Sequence, residues 1–329
     1  MKLLLSGYYG FGNLGDEAIL SGLVQGLKAR GHSVTVLSND PLTTASLHGV
    51  TAAHRVRGAP GALLKTDAFI SGGGGLLQDK TSLRSLHYYL TLLRLAKRLG
   101  KRAFVYGQSV GPLSERGRAA VAGVLRGVHV AVRDERSRAL LASLDVSAHL
   151  VADAALLLEP PPKITAERVI LVPRAGYPAI TEALSHLGNS LRAQAVPVAA
   201  AAVQPDEDGA ALAQLTRAIP DLDLLPAPSP GELLRHLSAA RYVVSGRLHG
   251  LILAAVAGTN ACGLVYDPKV AAFAEEAGAP AFDLPVEGAA LLRCVQENRP
   301  LSSKKLEVLK ARAVQGLDWV DATLSGKNA

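Results

Sequence analysis

Aromatic side chains make up only 4% of the 329 residues, and there are two cysteines, one Trp and one Met. Cys262 and Cys294 stand far apart with no C-x-x-C neighbour, which excludes a disulfide framework, a Cys-built zinc site and a dithiol redox pair. They read as buried thiols. No uninterrupted apolar stretch reaches the about 18 residues that span a bilayer, so any membrane contact is expected to be peripheral. Lys and Arg are scattered, and no basic run carries interleaved aromatics, which disfavours nucleic acid despite a formal net charge of +7. That charge points instead to small anionic ligands, or to the inner face of an anionic membrane. Met1–Gly7 has too short an apolar stretch for a signal peptide and reads as the first strand of a cytoplasmic protein.

What is abundant is Ala, Leu and Val, in a chain that is 49% apolar. This composition suits helices packed on buried parallel strands, and the length suits two domains. Strands are predicted at 2–6, 33–37, 68–71, 103–106 and 128–132, with helices near 16–30, 82–99, 115–126 and 134–143. A second alternation places strands at 168–172, 196–200, 222–225, 242–244 and 261–265, after the stiff Pro160-Pro161-Pro162. The expected domains are 1–158 and 163–300, with a terminal helical segment, 301–329, that packs on the second domain or back on the first. The predicted class is α/β: two Rossmann-like, doubly wound domains facing across a cleft, resembling the B-type glycosyltransferases.

Ser245-Gly246-Arg247-Leu248-His249-Gly250 lies where a strand turns into a helix, the place where an α/β protein collects anions. Arg247 can clamp a carboxylate or phosphate through parallel hydrogen bonds, and His249 can move a proton on the same ligand. The plain alternative is an arginine paired with a surface carboxylate and a histidine in a packed turn. Arg133 closes the strand Val128–Val132, so its head group is expected at the carboxyl edge of the sheet; an ion pair with Asp134 is the structural alternative. Lys269 stands in the first turn after Asp267-Pro268, where a cation opposes the helix dipole and hints at a nearby anion.

Three strand-end loops are rich in glycine or small polar groups. In the first, Gly10, Gly12 and Gly15 match the spacing of a dinucleotide loop, with Asp40 in the place of a ribose acid. Asp16 and Glu17 in the first helical turn would repel a pyrophosphate, so that reading is disfavoured. Asn13 and Asp16 are left either to the helix terminus or to a polyhydroxyl acceptor. The second loop, Gly72-Gly73-Gly74-Gly75 followed by Gln78, favours close approach to a ligand over a structural role. The third, around Gln108 and Ser109, reads equally as a helix-leading turn or a substrate contact.

Taken in order and spacing, these segments resemble the bacterial polysaccharide pyruvyl transferases of the CsaB type. The resemblance implies phosphoenolpyruvate as donor, no cofactor, no metal and no nucleotide. It also implies a cell-wall amino sugar, typically N-acetylmannosamine on a lipid-linked saccharide, as acceptor. On this reading Arg133 and Arg247, with the backbone amides of Leu248 and His249, hold the donor. His249 transfers protons, Asn13 and Asp16 orient the acceptor with Asp16 as second base, and Gly73, Gly74, Gln78, Gln108, Ser109 and Lys269 line the substrates. A sugar-nucleotide glycosyltransferase and a non-catalytic binder of anionic glycans are the alternatives.

Overall fold

The computed structural model describes residues 1–80, 82–164 and 167–326. Residues 327–329 of the expected terminal segment, and residues 81 and 165–166, lie outside the described residues. Contacts divide the chain into two compact units. The first holds Met1–Phe11, Asp16–Leu158 and the segment from Lys310 onward; the second holds Gly12–Gly15 and Glu159–Leu309.

In the first unit, β1 (Lys2–Ser6), β2 (Ser33–Ser38), β3 (Thr51–His54), β4 (Ala68–Gly72), β5 (Arg102–Gln108), β6 (His129–Val132) and β7 (His149–Leu150) form one sheet. It is parallel throughout, in the order β3-β2-β1-β4-β5-β6-β7. The helices between are α1 (Leu14–Ala29), α2 (Pro41–His48), α3 (Ala59–Leu64), α4 (Leu83–Arg98), α5 (Glu115–Leu125) and α6 (Glu135–Ala142). Because helices cover both faces, the central strands are apolar runs rather than alternations: Leu3, Leu4, Leu5 and Phe69 are fully buried. Helix starts follow side-chain chemistry. Ser82, Ser114 and Asp134 each accept a backbone N–H three residues on. Asp40, placed by its spacing where a ribose acid would sit, caps α2 by accepting from Thr43 N and Oγ1 at 3.2 and 2.7 Å.

The second unit repeats the plan. Its strands are β8 (Val169–Val172), β9 (Val198–Ala200), β10 (Asp223–Leu224), β11 (Tyr242–Ser245), β12 (Ala261–Val265) and β13 (Ala281–Asp283). They pair in parallel in the order β10-β9-β8-β11-β12-β13. Helices α7 (Pro178–Ala193), α8 (Pro205–Ala218), α9 (Pro230–Ser238), α10 (Leu248–Val256), α11 (Pro268–Ala277) and α12 (Gly288–Gln296) connect and flank them. In each sheet the order reverses beside its first strand, between β1 and β4 and between β8 and β11. Ligands of open α/β sheets bind at such switch points, outside the carboxyl ends of the strands.

The last helix, α13 (Ser303–Leu324), contributes its residues from Lys310 onward to the first unit. There Trp319 meets Phe104 edge-on at 5.8 Å and His149 at 4.7 Å, and Arg30 pairs with Asp318. Among the described residues no helix is long and apolar enough to cross a membrane.

Candidate functional site

At the carboxyl edge of the first sheet, the loops after β1, β4, β5 and β6 converge. Tyr9 in the first loop is buried and donates from its hydroxyl to Gly72 O at 2.7 Å, tying the first glycine loop to the second. Burial, then the charges of Asp16 and Glu17, holds its pKa well above the usual phenol value. Glu17 reaches back to accept Gly10 N at 2.7 Å and meets His48 Nε2 with its other oxygen, also at 2.7 Å. Glu17 thus organises the loop itself. Asp16 is buried, and a side chain on Gly74 would crowd its Oδ1 at 2.7 Å.

Within the four-glycine run, Gly72, Gly73 and Gly74 are closely packed by Leu23, Ile19 and Asp16, whereas Gly75 is exposed with open space at its Cβ position. Gly73 has φ of 72°, and a Cβ there would overlap Ile19 of α1. The loop is zipped to its neighbour by Gly73 N donating to Tyr106 O at 2.8 Å and Ser109 N donating to Gly74 O at 2.9 Å. The Gln108 side chain is fully buried: its Nε2 donates to Ser71 O and Oγ at 2.9 and 2.8 Å, while its Oε1 has no partner among the described residues. Gln78 is half-buried at the end of the same loop.

Arg133 reaches the expected edge, but its partner is Asp153 rather than Asp134. Nη1 pairs with Asp153, and Nε donates to Ser109 Oγ at 2.8 Å. Ser109 Oγ donates in turn to Asp134 Oδ2 at 2.7 Å, while Asp134 Oδ1 caps α6 by accepting from Ser137 N. With its side chain only 8% exposed, Arg133 is a buried cation held by the protein's own groups.

In the second unit, Arg247 N-caps α10 at the end of β11. Its guanidinium meets wholly buried Asp208 through two parallel bonds, Nε to Oδ2 at 3.0 Å and Nη2 to Oδ1 at 2.6 Å. Nη1 donates to Gln204 Oε1 and Nη2 to Glu207 Oε2, both at 3.1 Å. The fork that was to clamp a ligand therefore holds Asp208, which corrects the bidentate role assigned from sequence. Burial alone would lower the Arg247 pKa, but the bonds and charges of Asp208 and Glu207 override it and hold the group charged. Asp208 also accepts Gln204 N at 3.2 Å and Ala175 N at 3.1 Å, so one carboxylate anchors the loops after β8, β9 and β11.

Asn13 joins this network from the segment Gly12–Gly15. Its Oδ1 caps α1 at Gly15 N, 3.0 Å away, and its Nδ2 donates to Gln204 Oε1 at 3.3 Å. His249 stands half-buried in the first turn of α10, with Leu248 buried before it. The His249 ring fills the space that a side chain on Gly15 would take. Ser245 Oγ braces the turn, donating to Arg247 O at 2.7 Å and accepting Arg247 N at 3.1 Å. Lys269 Nζ lies 5.7 Å from the centre of the Tyr266 ring.

The first unit thus brings together Arg133, Ser109, Gln108, Gly73, Gly74, Gln78 and Asp16, and the second brings together Arg247, Leu248, His249, Lys269 and Asn13. Missing from the sequence reading were Gln204, Glu207 and Asp208, whose acidic pair resembles any helix start, and Arg174 after β8. The signal for Arg174 was available: like Arg133, it closely follows a short apolar strand.

A family model described as polysaccharide pyruvyl transferase matches residues 13–268. No curated protein matches the sequence. Among solved structures, HepE from Anabaena in complex with UDP-glucose aligns with a TM-score of 0.63 at 12% identity, over 99% of this chain and 100% of its own. A glycosyltransferase from Rickettsia africae ESF-5 aligns with a TM-score of 0.59 at 8% identity, over 96% and 93%. UDP-GlcNAc 2-epimerase from Methanocaldococcus jannaschii gives 0.59 at 11% identity, over 97% and 100%. These likenesses establish the fold, the paired doubly wound domains of the B-type glycosyltransferases.

Proposed function

The chain belongs to the polysaccharide pyruvyl transferase family, and we propose that it is a CsaB-type enzyme that builds a pyruvate ketal from phosphoenolpyruvate on a lipid-linked amino sugar. N-acetylmannosamine is the acceptor we assign. The observation that carries this reading is the placement of His249 beside the locked Arg247–Asp208 pair at the switch point of the second sheet. A charged arginine fixed by a buried carboxylate keeps the turn rigid, so the neighbouring imidazole has one defined position.

In the proposed reaction, His249 delivers a proton to the methylene carbon of phosphoenolpyruvate, and positive charge develops at the central carbon. One sugar hydroxyl attacks that carbon and gives up its proton to the now neutral imidazole. The carbon–oxygen bond to phosphate breaks, a second hydroxyl adds, and its proton leaves with phosphate. The products are the ketal, with a methyl group where the methylene stood, and hydrogen phosphate. Histidine suits a step that needs first an acid and then a base near neutral pH. Asp16 is the proposed second base, taking the second hydroxyl's proton and passing it on to the departing phosphate, and Asn13 positions Gln204 as well as facing the acceptor. The basic balance and Lys269 are assigned to the diphosphate of the lipid carrier at the inner membrane face; absence of binding to acidic liposomes at low salt would remove that assignment.

The test is turnover. His249→Ala is expected to remain folded and to lose at least about a hundredfold in phosphate release from phosphoenolpyruvate with acceptor present. Near-normal turnover would overturn the proton-transfer role. A thermal-shift series with UDP-glucose and phosphoenolpyruvate separates pyruvyl transfer from glycosyl transfer, since only the proposed donor is expected to raise Tm.

A further inference from the structure

We infer that Arg174, a residue outside the motifs that suggested the reaction, is the arginine that binds an oxyanion of the donor. The inference rests on the pyruvyl-transfer reading and assigns the anion contact that Arg247 is too committed to supply. Arg174 lies two residues beyond the end of β8. Since β8 and β11 are neighbours at the reversal of strand order, its loop and the Arg247 turn border the same switch point.

Three observations single it out. Among the described residues Arg174 has no hydrogen-bonded or ion-paired partner, and its Nε is buried without an acceptor. Arg133 and Arg247, by contrast, are matched to Asp153 and Asp208. A buried N–H with no acceptor costs free energy that a bound oxyanion would relieve. The guanidinium is also held by aromatics: its carbon lies 4.4 Å from the Tyr266 ring centre and 5.4 Å from that of Tyr177, and the two rings are 5.0 Å apart. Cation–π contact holds the head group in place while engaging its face, not its N–H edge, and a forked edge for a carboxylate or phosphate is the use to which arginine is better suited than lysine. In a chain with so few aromatics, two tyrosines around one arginine are a concentrated investment of structure. Finally, the next residue's amide is pinned to Asp208, the carboxylate that locks Arg247. Asp208 therefore satisfies one arginine and positions the other.

Tyr266 records the arrangement. Burial raises its pKa, and the positive charges of Arg174 and Arg247 oppose the rise, while Asp267 adds to it. Both guanidinium charges are thus felt at the ring, which is consistent with a small anion reaching Arg174 beside the Arg247 turn.

The experiment is calorimetric binding of phosphoenolpyruvate, with steady-state kcat and KM, for wild type, Arg174→Gln, Arg174→Lys and Tyr266→Leu. Arg174→Gln is expected to raise Kd and KM for phosphoenolpyruvate at least about tenfold, the loss typical of a charge-assisted contact. Arg174→Lys, which keeps the charge and loses the fork, should fall between. Tyr266→Leu, which leaves the arginine but removes its platform, should also weaken binding, and it keeps the test open if Arg174→Gln fails to fold. Inhibition by inorganic phosphate identifies the end of the donor that is held: it weakens in Arg174→Gln if the contact is to phosphate and is unchanged if it is to carboxylate. Wild-type Kd in folded Arg174→Gln, or in Tyr266→Leu, overturns the inference. Failure of the wild-type enzyme to bind phosphoenolpyruvate overturns the underlying reading instead.

Discussion

Arg247 and Asp208 carry opposite charges in a place almost closed to water, and each holds the other's polar atoms in place. Breaking such a pair by removing one partner costs about 3–5 kcal/mol, because the remaining charge is left buried and alone. Asp208→Ala is therefore expected to lower the unfolding free energy by about that amount in a urea titration, and Arg247→Met with Asp208→Leu should recover much of it. Gly15 makes a different demand. A methyl group there would displace the His249 ring, so Gly15→Ala is expected to reduce kcat toward the level of His249→Ala while leaving the fold intact. Arg247 and His249 were legible in the sequence because a strand-to-helix junction advertises itself through its apolar flanks. Their partners were not: Glu207 and Asp208 have the look of acidic residues favouring a helix N-terminus, and only the folded β9–α8 loop brings Asp208 under β11.

At the scale of elements, the glycine loops are joints between strands and the helix α1. Gly73 sits at positive φ against Ile19, so Gly73→Ala is expected to destabilise by about 1–3 kcal/mol, measured as a fall in Tm, from backbone strain plus overlap. The buried central strands and the long helices followed from apolar runs and 3.6-residue periodicity. The edge strands β3, β7 and β13 did not, because they are two to four residues long and lie at or near the solvent-facing margins of their sheets. Helices α2 and α3 escaped for a related reason: they are short, and their apolar faces are too small to set a period. The glycine loop shows a related limit, since three of its four glycines pack against side chains of the protein itself. Sequence shows that the backbone needs close approach, and cannot show whether the approaching group is a ligand or a neighbouring helix.

For the molecule as a whole, the six strands of the second sheet follow the order of the first six of the other, so each sheet has a switch point at its carboxyl edge, with Arg133 near the first and Arg174 and Arg247 near the second. The family match makes the chain a transferase, and the solved structures it resembles give the fold of paired doubly wound domains. The tail of α13 belongs to the stability of the first unit through Trp319, Asp318 and Tyr106, whose hydroxyl donates to Ala313 O at 3.2 Å. Trp319→Ala is expected to cost about 2–3 kcal/mol, somewhat less than a fully buried tryptophan, in a chemical denaturation experiment. The most direct measurement incubates the enzyme with phosphoenolpyruvate and a lipid-linked N-acetylmannosamine-containing saccharide, and follows acceptor mass together with free phosphate. Pyruvyl transfer predicts a ketal mass gain on the acceptor and one phosphate per ketal. Phosphate release without a mass gain, or a gain only when a sugar nucleotide replaces phosphoenolpyruvate, would contradict it.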